Sequence, residues 1–217
     1  EVSAYQGELK VHILGYGCRI CTPYEQFLRA RIAGAVERAK DIIIKANEHF
    51  GLDVTLAEAE RFHQKKDAPL HTMHIVAAFA ARLGCNKGDL YAAAFEPGKL
   101  CHSLIGRPAP QDAIDVIHAS GGIAVLAHPG RIRRLDEERF SLMDVLAGAG
   151  LDGIECVHSD HTEEQTAQFA AFACSRGLLQ TGGSDFHAEG RSRAIGRPYF
   201  DPSEALLAAF RRLCGDE

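Results

Sequence analysis

Residues 122–129 read Gly-Ile-Ala-Val-Leu-Ala-His-Pro, and this stretch decides the fold class. Its near-continuous apolar run predicts a buried strand. Pro129 cannot donate a ladder hydrogen bond, so the strand should end there with His128 as its last side chain. Two interpretations fit His128: it caps the core, or it projects from the strand end as a ligand.

The pattern on both sides of this strand alternates between helix and strand. It predicts helix 110–119, strand 122–127, helix 136–148, strand 152–157, helix 162–176, strand 178–182 and helix 202–213. Such alternation with short connections favours an α/β fold with a parallel sheet, open or closed into a barrel. Chemistry in these folds gathers at the carboxyl ends of strands. His128, His158, His161, Asp185 and His187 all follow predicted strand ends closely.

The first hundred residues have a different pattern. Two short strands are predicted at 1–5 and 9–15, separated by a turn at Gln6-Gly7. Helical periodicity follows from Pro23 to about Phe50. Thr55 and Glu58 resemble a capping box that begins a second helix, and a third should run from Thr72 to Leu83 before Gly84. Residues 24–100 are therefore predicted to form a helical insertion between 1–23 and 101–217, the two parts of the α/β domain.

Composition limits the classes of function. With 217 residues, 46% hydrophobic content and a net charge of −5, the chain can bury a large core and lacks the basic character of a nucleic-acid binder. We therefore expect no duplex nucleic acid as partner, and a phosphate-bearing ligand would need metal ions or clustered arginines. The seven cysteines, an odd number, favour reduced thiols and a cytoplasmic location. No apolar stretch predicts a membrane span or signal peptide.

A second motif, Thr-Gly-Gly-Ser-Asp-Phe-His at 181–187, carries the strongest chemical signal. Its two glycines permit close approach of the backbone to a ligand. Asp185 and His187, two apart in a segment expected to be extended, should face one side and share a metal. Carboxylate and imidazole suit Zn, Mn or Fe. His12 within a buried strand and Glu1 on the strand before it could add an imidazole and a carboxylate.

These motifs together resemble those of the PHP (polymerase and histidinol phosphatase) phosphoesterases. The resemblance rests on Glu1-Val2-Ser3, Val11-His12-Ile13-Leu14-Gly15-Tyr16, the segment 121–131, Gly153-Ile154-Glu155-Cys156, the segment 161–166, and Gly182-Gly183-Ser184-Asp185-Phe186-His187. It is closest to the branch with a helical insertion that acts on nucleotide phosphates. The resemblance implies a distorted (β/α)7 barrel that holds two or three divalent Mn, Fe or Zn ions.

Individual residues can be given roles, the metal ligands from the resemblance and the others from their chemistry and position. Metal ligands would be Glu1, His12, His128, Asp185 and His187. The catalytic pair would be Asp185, which holds the attacking water, and His187, with His128 an alternative for assisting the leaving group. Arg131 would bind phosphate. His161 would face the substrate or else cap a helix. His74 would reach the substrate from the insertion, although the Arg-Pro that normally precedes it is absent.

Two features leave the function open. The family's first His-x-His motif and a later histidine are absent, so we expect strands that precede Glu1 in the natural protein. The expected reaction is metal-dependent hydrolysis of a nucleotide or sugar phosphate, namely a 3′,5′-bisphosphonucleotide, a short oligonucleotide or a cyclic phosphate. Residues 95–107 depart from the branch's usual pattern, so the cyclic phosphate stays among the expected substrates. The alternative is a non-catalytic module that binds a nucleotide or protein partner through an incomplete metal cluster.

Overall fold

The computed structural model describes residues 1–63, 70–132, 134–187 and 194–215. The chain packs as two compact units. The first contains residues 1–6, 10–25 and 108–217, and the second contains residues 7–9 and 26–107. Each unit has its own buried apolar side chains.

The first unit is built on a mixed sheet. The strands are β1 (Val2–Gln6), β2 (Leu9–Tyr16), β3 (Ile123–Leu126), β4 (Gly153–His158) and β5 (Leu179–Gly183). They lie side by side in chain order. β2 runs antiparallel to β3, whereas β3, β4 and β5 run parallel, as the alternating pattern predicted. The carboxyl ends of β3, β4 and β5 therefore share one edge of the sheet, and the amino-terminal half of β2 meets the same edge.

The described residues form eight α-helices. They are α1 (Thr22–Phe50), α2 (Leu56–Glu60), α3 (Thr72–Leu83), α4 (Lys87–Leu90), α5 (Pro110–Ala119), α6 (Asp136–Gly148), α7 (Glu163–Ser175) and α8 (Glu204–Cys214). A π-helical turn, Tyr91–Phe95, follows α4, and a 3-10 turn, Pro129–Arg131, follows β3.

Helices of the first unit pack on its sheet. α5 packs against β1 and β3, α7 against β4 and β5, and α8 against β5. Their ends have clear local causes. In α7 the Thr162 hydroxyl accepts from the Gln165 amide, and the Gln165 side chain accepts from the Thr162 amide, both at 3.1 Å. This reciprocal capping box begins the helix immediately after His161, and so fixes where that histidine leaves the strand-to-helix loop.

The second unit is helical and has an aromatic core. Phe79 of α3 and Phe95 of the π-helical turn are fully buried. Their ring centroids lie 6.0 Å apart, and the Phe50 ring is 6.0 Å from Phe79. Close-packed rings of this kind stabilise a core beyond the burial of their surface. The predicted capping box at Thr55 and Glu58 is confirmed, as is the end of α3 at Gly84 with φ 66°.

The sequence pattern therefore predicted most elements within one or two residues. It missed the consecutive short elements of residues 87–95, which no clear period marks. All seven cysteines carry free thiols. Within the described ranges, no helix has the combined length and apolar character that crossing a bilayer requires.

Candidate metal centre

Glu1, His12 and His128 converge at the shared edge of the sheet. One ligand atom from each lies within 4.8 Å of the others, and the described residues contain no other such group of three or more. His12 Nδ1 contacts a carboxylate oxygen of Glu1 and lies 3.1 Å from His128 Nε2. Three residues that the sequence singled out as ligands thus meet in space.

The contacts within this triad leave lone pairs facing one another. An imidazole nitrogen carries at most one proton, so in a neutral His12 ring the Nδ1 atom can donate to only one of its two neighbours. In the described part of the chain, the buried Nε2 atom of His12 also lacks a hydrogen-bond partner. A cation would satisfy such a concentration of acceptors, since buried polar atoms without partners cost free energy.

Protonation also favours a cation here. Burial lowers the pKa of the His128 imidazole from 6.5 to about 4, so the ring is neutral near pH 7. The hydrogen bond with His12 lowers the pKa of the Glu1 carboxyl to about 2. At neutral pH the triad therefore offers a carboxylate and an unprotonated imidazole, the forms that ligate metals.

The backbone of His128 is held in an unusual conformation. Its φ is 29° and its ψ is 60°, where non-glycine residues are uncommon. The buried carboxylate of Glu155 accepts a hydrogen bond of 2.7 Å from the His128 amide. This charge-assisted bond stabilises the strained position and fixes the direction in which the imidazole leaves β3.

Glu155 reaches that amide because of an irregularity in the sheet. The register of β4 on β5 shifts between Glu155 and Val157, as in a β-bulge. A Cβ at Gly183 would lie 2.2 Å from the Glu155 carboxylate, so any larger residue there would displace this carboxylate. The bulge and the glycine together make room for a carboxylate beneath the strand ends.

Arg131 and Asp185 form an ion pair beside the triad. Arg131 Nη1 donates to an Asp185 carboxylate oxygen at 2.7 Å, and Arg131 Nε lies 3.6 Å from Asp160. The His187 ring donates from Nδ1 to the Asp185 carbonyl oxygen at 2.7 Å. Asp185 and His187 are thus adjacent, but they lie outside the close group formed by Glu1, His12 and His128.

The expectation of an extended backbone at Asp185 is wrong. Its φ is 50°, in the left-handed region, so the alternation of side chains that an extended segment imposes does not apply. The juxtaposition of Asp185 and His187 instead follows from the turn that Asp185 makes. A short polar side chain tolerates that conformation better than most.

A cleft of about 160 Å³ lies beside the triad. Its polar lining comes from Lys10, His12, His128 and Arg131. The volume is roughly ten times what one water needs. The cleft can thus accept a small polar group next to His12 and His128.

Both ring nitrogens of His161 form hydrogen bonds with backbone groups. Its Nδ1 donates to the Cys156 carbonyl at 2.9 Å, so the ring's Nε2 is the acceptor for the Gly130 amide at 3.1 Å. A Cβ at Gly130 would lie 2.6 Å from the His161 ring. Both ring nitrogens thus bridge the end of β4 to the turn that carries Arg131.

The other candidate histidines have different surroundings. His158 is buried, and its Nδ1 accepts from the Asp160 amide at 3.0 Å. His74 lies in the second unit, where its Nδ1 accepts from the His71 amide at 3.1 Å. Its ring centroid is 4.5 Å from that of His63. The structure thus brings Glu1, His12, His128, Arg131, Asp185, His187 and His161 to one edge of the first unit, and gives His74 local contacts within the second.

Sequence reasoning missed two residues at this edge. Glu155 was part of a quoted motif, but sequence reasoning gave it no role. The available signal was a carboxylate in a strand whose alternation directs it towards the core. Lys10 went unnoticed although it lies two residues before His12. In a strand that spacing places both side chains on one face.

Comparison with known proteins supports a phosphoesterase. The chain is 33% identical over 208 residues to phosphoribosyl 1,2-cyclic phosphate 1,2-diphosphodiesterase of Eggerthella lenta, covering 90% of this chain and 74% of the relative. It is 32% identical over 199 residues to 3′,5′-nucleoside bisphosphate phosphatase of Chromobacterium violaceum, covering 88% and 67%. It is 30% identical over 209 residues to the 5′-3′ exoribonuclease Rnm of Escherichia coli, covering 94% and 69%.

Solved structures share the fold. An amidohydrolase of Chromobacterium violaceum with bound sulfate matches with a TM-score of 0.71 and 27% identity, over 99% of this chain and 75% of that protein. A proposed metal-dependent phosphoesterase of Bifidobacterium adolescentis matches with a TM-score of 0.69 and 22% identity, over 98% and 74%. No family model matches the sequence.

The mixed sheet, the carboxylate-imidazole triad beside an arginine, and these relatives define a metal-dependent phosphoesterase, an enzyme that hydrolyses phosphate esters. More narrowly, the chain belongs to the PHP phosphoesterases, in the branch with a helical insertion.

Proposed function

We propose that this enzyme hydrolyses small phosphate esters that carry two phosphoryl groups, such as a 3′,5′-bisphosphonucleotide or the cyclic phosphate of a phosphorylated sugar. The names of two relatives describe such compounds: a nucleoside 3′,5′-bisphosphate and a phosphoribosyl cyclic phosphate. A third relative is named an exoribonuclease, so the end of a short RNA is a further candidate. The observation that carries the proposal is the convergence of Glu1, His12 and His128 beside Arg131.

The residues fit divalent ions as cofactors, and we propose two or three of Mn, Fe or Zn. Glu1, His12 and His128 would hold them, joined by Asp185 and His187. Ions bound there would lower the pKa of a water and offset charge on the phosphoryl oxygens. The low pKa of His128 supports its role, because the ring needs no deprotonation before it ligates near pH 7.

The remaining steps belong to side chains of this chain. The Arg131 guanidinium, rigidly attached to the turn after His128, would bind the phosphoryl group that reacts. Asp185 would orient the attacking water and accept its proton. Where the His187 ring, which is 62% exposed, does not ligate an ion, it would deliver a proton to the leaving oxygen. His161 and His74 remain candidates for contacts with the rest of the substrate.

The architecture implied by the family completes the proposal. The described sheet would be part of a distorted (β/α)7 barrel, with 24–100 as a helical insertion between 1–23 and 101–217. The insertion would select the substrate, since its last residues begin the loop 95–107 that departs from the pattern of its branch.

The test combines metal analysis with turnover. The full-length protein should contain divalent metal and should release orthophosphate from adenosine 3′,5′-bisphosphate, and a chelator should abolish the activity. His128→Ala should lose both metal and activity. His118→Gln is the matched control, because His118 pairs with Asp152 at 2.7 Å near the starts of β3 and β4 and should retain both. A metal-free protein with full activity would contradict the proposal.

A further inference from the structure

The cleft beside the triad contains a cation that the proposed chemistry does not use. Lys10 lines this cleft with His12, His128 and Arg131, and its side chain is exposed. It is also the one lysine of the sequence outside residues 26–107. The cleft therefore offers a second positive charge besides that of Arg131.

The strand geometry determines where Lys10 lies. Lys10 and His12 are two apart on β2, so their side chains leave the same face. The Ala127 amide donates to the His12 carbonyl at 2.9 Å, which continues the antiparallel pairing of β2 with β3 beyond the regular ladder. From His12 towards its amino terminus, β2 leads to Lys10. The chain that follows β3 enters the turn at Pro129–Arg131 on the same side. Lys10 therefore lies beside that turn, two residues along β2 from His12 of the triad.

The two cations of the cleft belong to different elements, Lys10 to β2 and Arg131 to the turn that follows β3. Arg131 lies 2.7 Å from one carboxylate and 3.6 Å from another, those of Asp185 and Asp160. These contacts place Arg131 beside Asp185, the proposed catalytic carboxylate. Lys10 lies on β2, which β3 and β4 separate from β5, the strand that precedes Asp185. An ammonium is a compact point charge that binds phosphate without a fixed orientation.

We propose that Lys10 binds the phosphoryl group that is not hydrolysed, and so determines the preference for substrates with two phosphoryl groups. The inference rests on the proposed function and deepens it. Arg131 and the metal ligands would hold the reacting group, and Lys10 would hold the second group at the far end of the cleft. Selectivity would then come from a charge-assisted contact that a simple monoester cannot make.

The experiment compares substrates of different charge in the full-length, metal-loaded protein. The variants are Lys10→Gln, which removes the charge, and Lys10→Arg, which keeps it. The substrates are adenosine 3′,5′-bisphosphate and the two adenosine monophosphates. Lys10→Gln should raise KM for the bisphosphate by about 10- to 100-fold with less than about a threefold change in kcat. KM for the monophosphates should rise much less, and Lys10→Arg should restore most of the bisphosphate preference.

Arg176→Gln is the control for loss of one cation from the same unit. Arg176 pairs with Asp144 at 2.5 Å and precedes β5, so it lies at the opposite edge of the parallel strands from Asp185. It should leave both substrates unaffected. Equal losses on bisphosphate and monophosphates in Lys10→Gln, or no loss at all, would overturn the assignment.

A further measurement separates this inference from the proposed function. If the wild-type protein hydrolyses none of these compounds, the proposed function fails. Calorimetric binding of adenosine 3′,5′-bisphosphate and of each monophosphate then still tests Lys10. Weaker binding of the bisphosphate alone in Lys10→Gln would support the inference, and unchanged binding of all three would refute it.

Discussion

His128 and Asp185 are the two non-glycine residues with positive φ among those the structure describes. Both follow strand ends, and both were chosen from the sequence as metal ligands. Conformations of this kind cost about 1–3 kcal/mol each and persist where surrounding contacts enforce them. Here the Glu155 carboxylate holds the His128 amide and Arg131 holds the Asp185 side chain. The coincidence of strain with candidate ligands supports their role at a functional site.

The ion pair between Arg131 and Asp185 leads to contrasting predictions for the two residues. Arg131→Ala should lower kcat/KM by about 10- to 1000-fold, because it removes the proposed charge-assisted contact to the reacting phosphate. Metal content should not change. Asp185→Asn should lower both metal occupancy and turnover, because it removes the charge of a proposed ligand and the proposed acceptor for the water proton. Elemental analysis and steady-state kinetics of both variants provide the measurement.

Arg134→Ala is the control, since Arg134 is exposed and its Nε lies 3.8 Å from Glu138, one helical turn away. Its kinetics should match the wild type. The roles would have to be exchanged if Arg131→Ala removed the metals while Asp185→Asn kept full metal content and full activity.

Residue chemistry explains which parts of the site could be predicted. Histidine and aspartate at strand ends stand out in any apolar sequence, so His128 and Asp185 were found from pattern alone. Glu155 was not, because its role depends on a register shift that brings it under a neighbouring strand. Lys10 was missed for a related reason: the pairing of β2 with β3 joins residues more than a hundred positions apart.

At the scale of elements, the turn Pro129–Arg131 links the end of β3 to the arginine. His161, just before α7, fixes this turn by accepting from the Gly130 amide while it donates to the Cys156 carbonyl. One side chain thus connects two strand ends through two backbone bonds. The turn and Arg131 should move if that connection is lost.

We predict that His161→Leu destabilises the protein by about 2–4 kcal/mol, because it leaves a backbone donor and an acceptor without their partner at about 1–3 kcal/mol each. KM should rise as Arg131 shifts, whereas metal content should stay the same. Chemical denaturation gives the stability, and Glu164→Gln, on the exposed first turn of α7, should change it by less than about 1 kcal/mol.

His161 should also make the free energy of unfolding depend on pH. Burial lowers the pKa of His161 below its ordinary 6.5. Below pH 6.5 the unfolded chain therefore binds a proton that the folded ring resists, so the free energy of unfolding should fall as the pH drops. His161→Leu should make the slope of that free energy shallower below pH 6.5, and the slope that remains should come from the other histidines whose pKa is lowered, namely His74, His102 and His128. An unchanged slope would show that His161 is not held neutral in the folded protein.

Elements were more predictable than the site because they depend on local patterns. The 3.6-residue period of α1 and α3 and the apolar run of β3 need no information from distant residues. The π-helical turn at Tyr91–Phe95 has no such period and follows from packing of Phe95 in the helical core. The antiparallel position of β2 likewise depends on its pairing partner, which a local pattern does not reveal.

At the scale of the whole molecule, all proposed metal ligands come from the first unit. Glu1, His12 and His128 belong to it, as do Asp185 and His187. The second unit has its own core around Phe79 and Phe95. Metal binding should therefore stabilise the two units to different extents, because a ligand stabilises the structure that binds it.

We predict that saturating Mn²⁺ or Zn²⁺ raises the protection of backbone amides in β2 and β3 against hydrogen exchange, while amides of α3 change much less. At 100 times the dissociation constant the linkage is worth about 2.7 kcal/mol, or roughly a hundredfold in the opening equilibrium of the segments concerned. The Ala127 amide, bonded to the His12 carbonyl, is the most direct reporter. Exchange detected by mass spectrometry with and without metal provides the measurement.

His128→Ala should remove the effect, whereas His118→Gln should keep it. Equal protection of α3 and β3 would mean that residues of the second unit also sense the ions, and the ligand set would then have to include that unit.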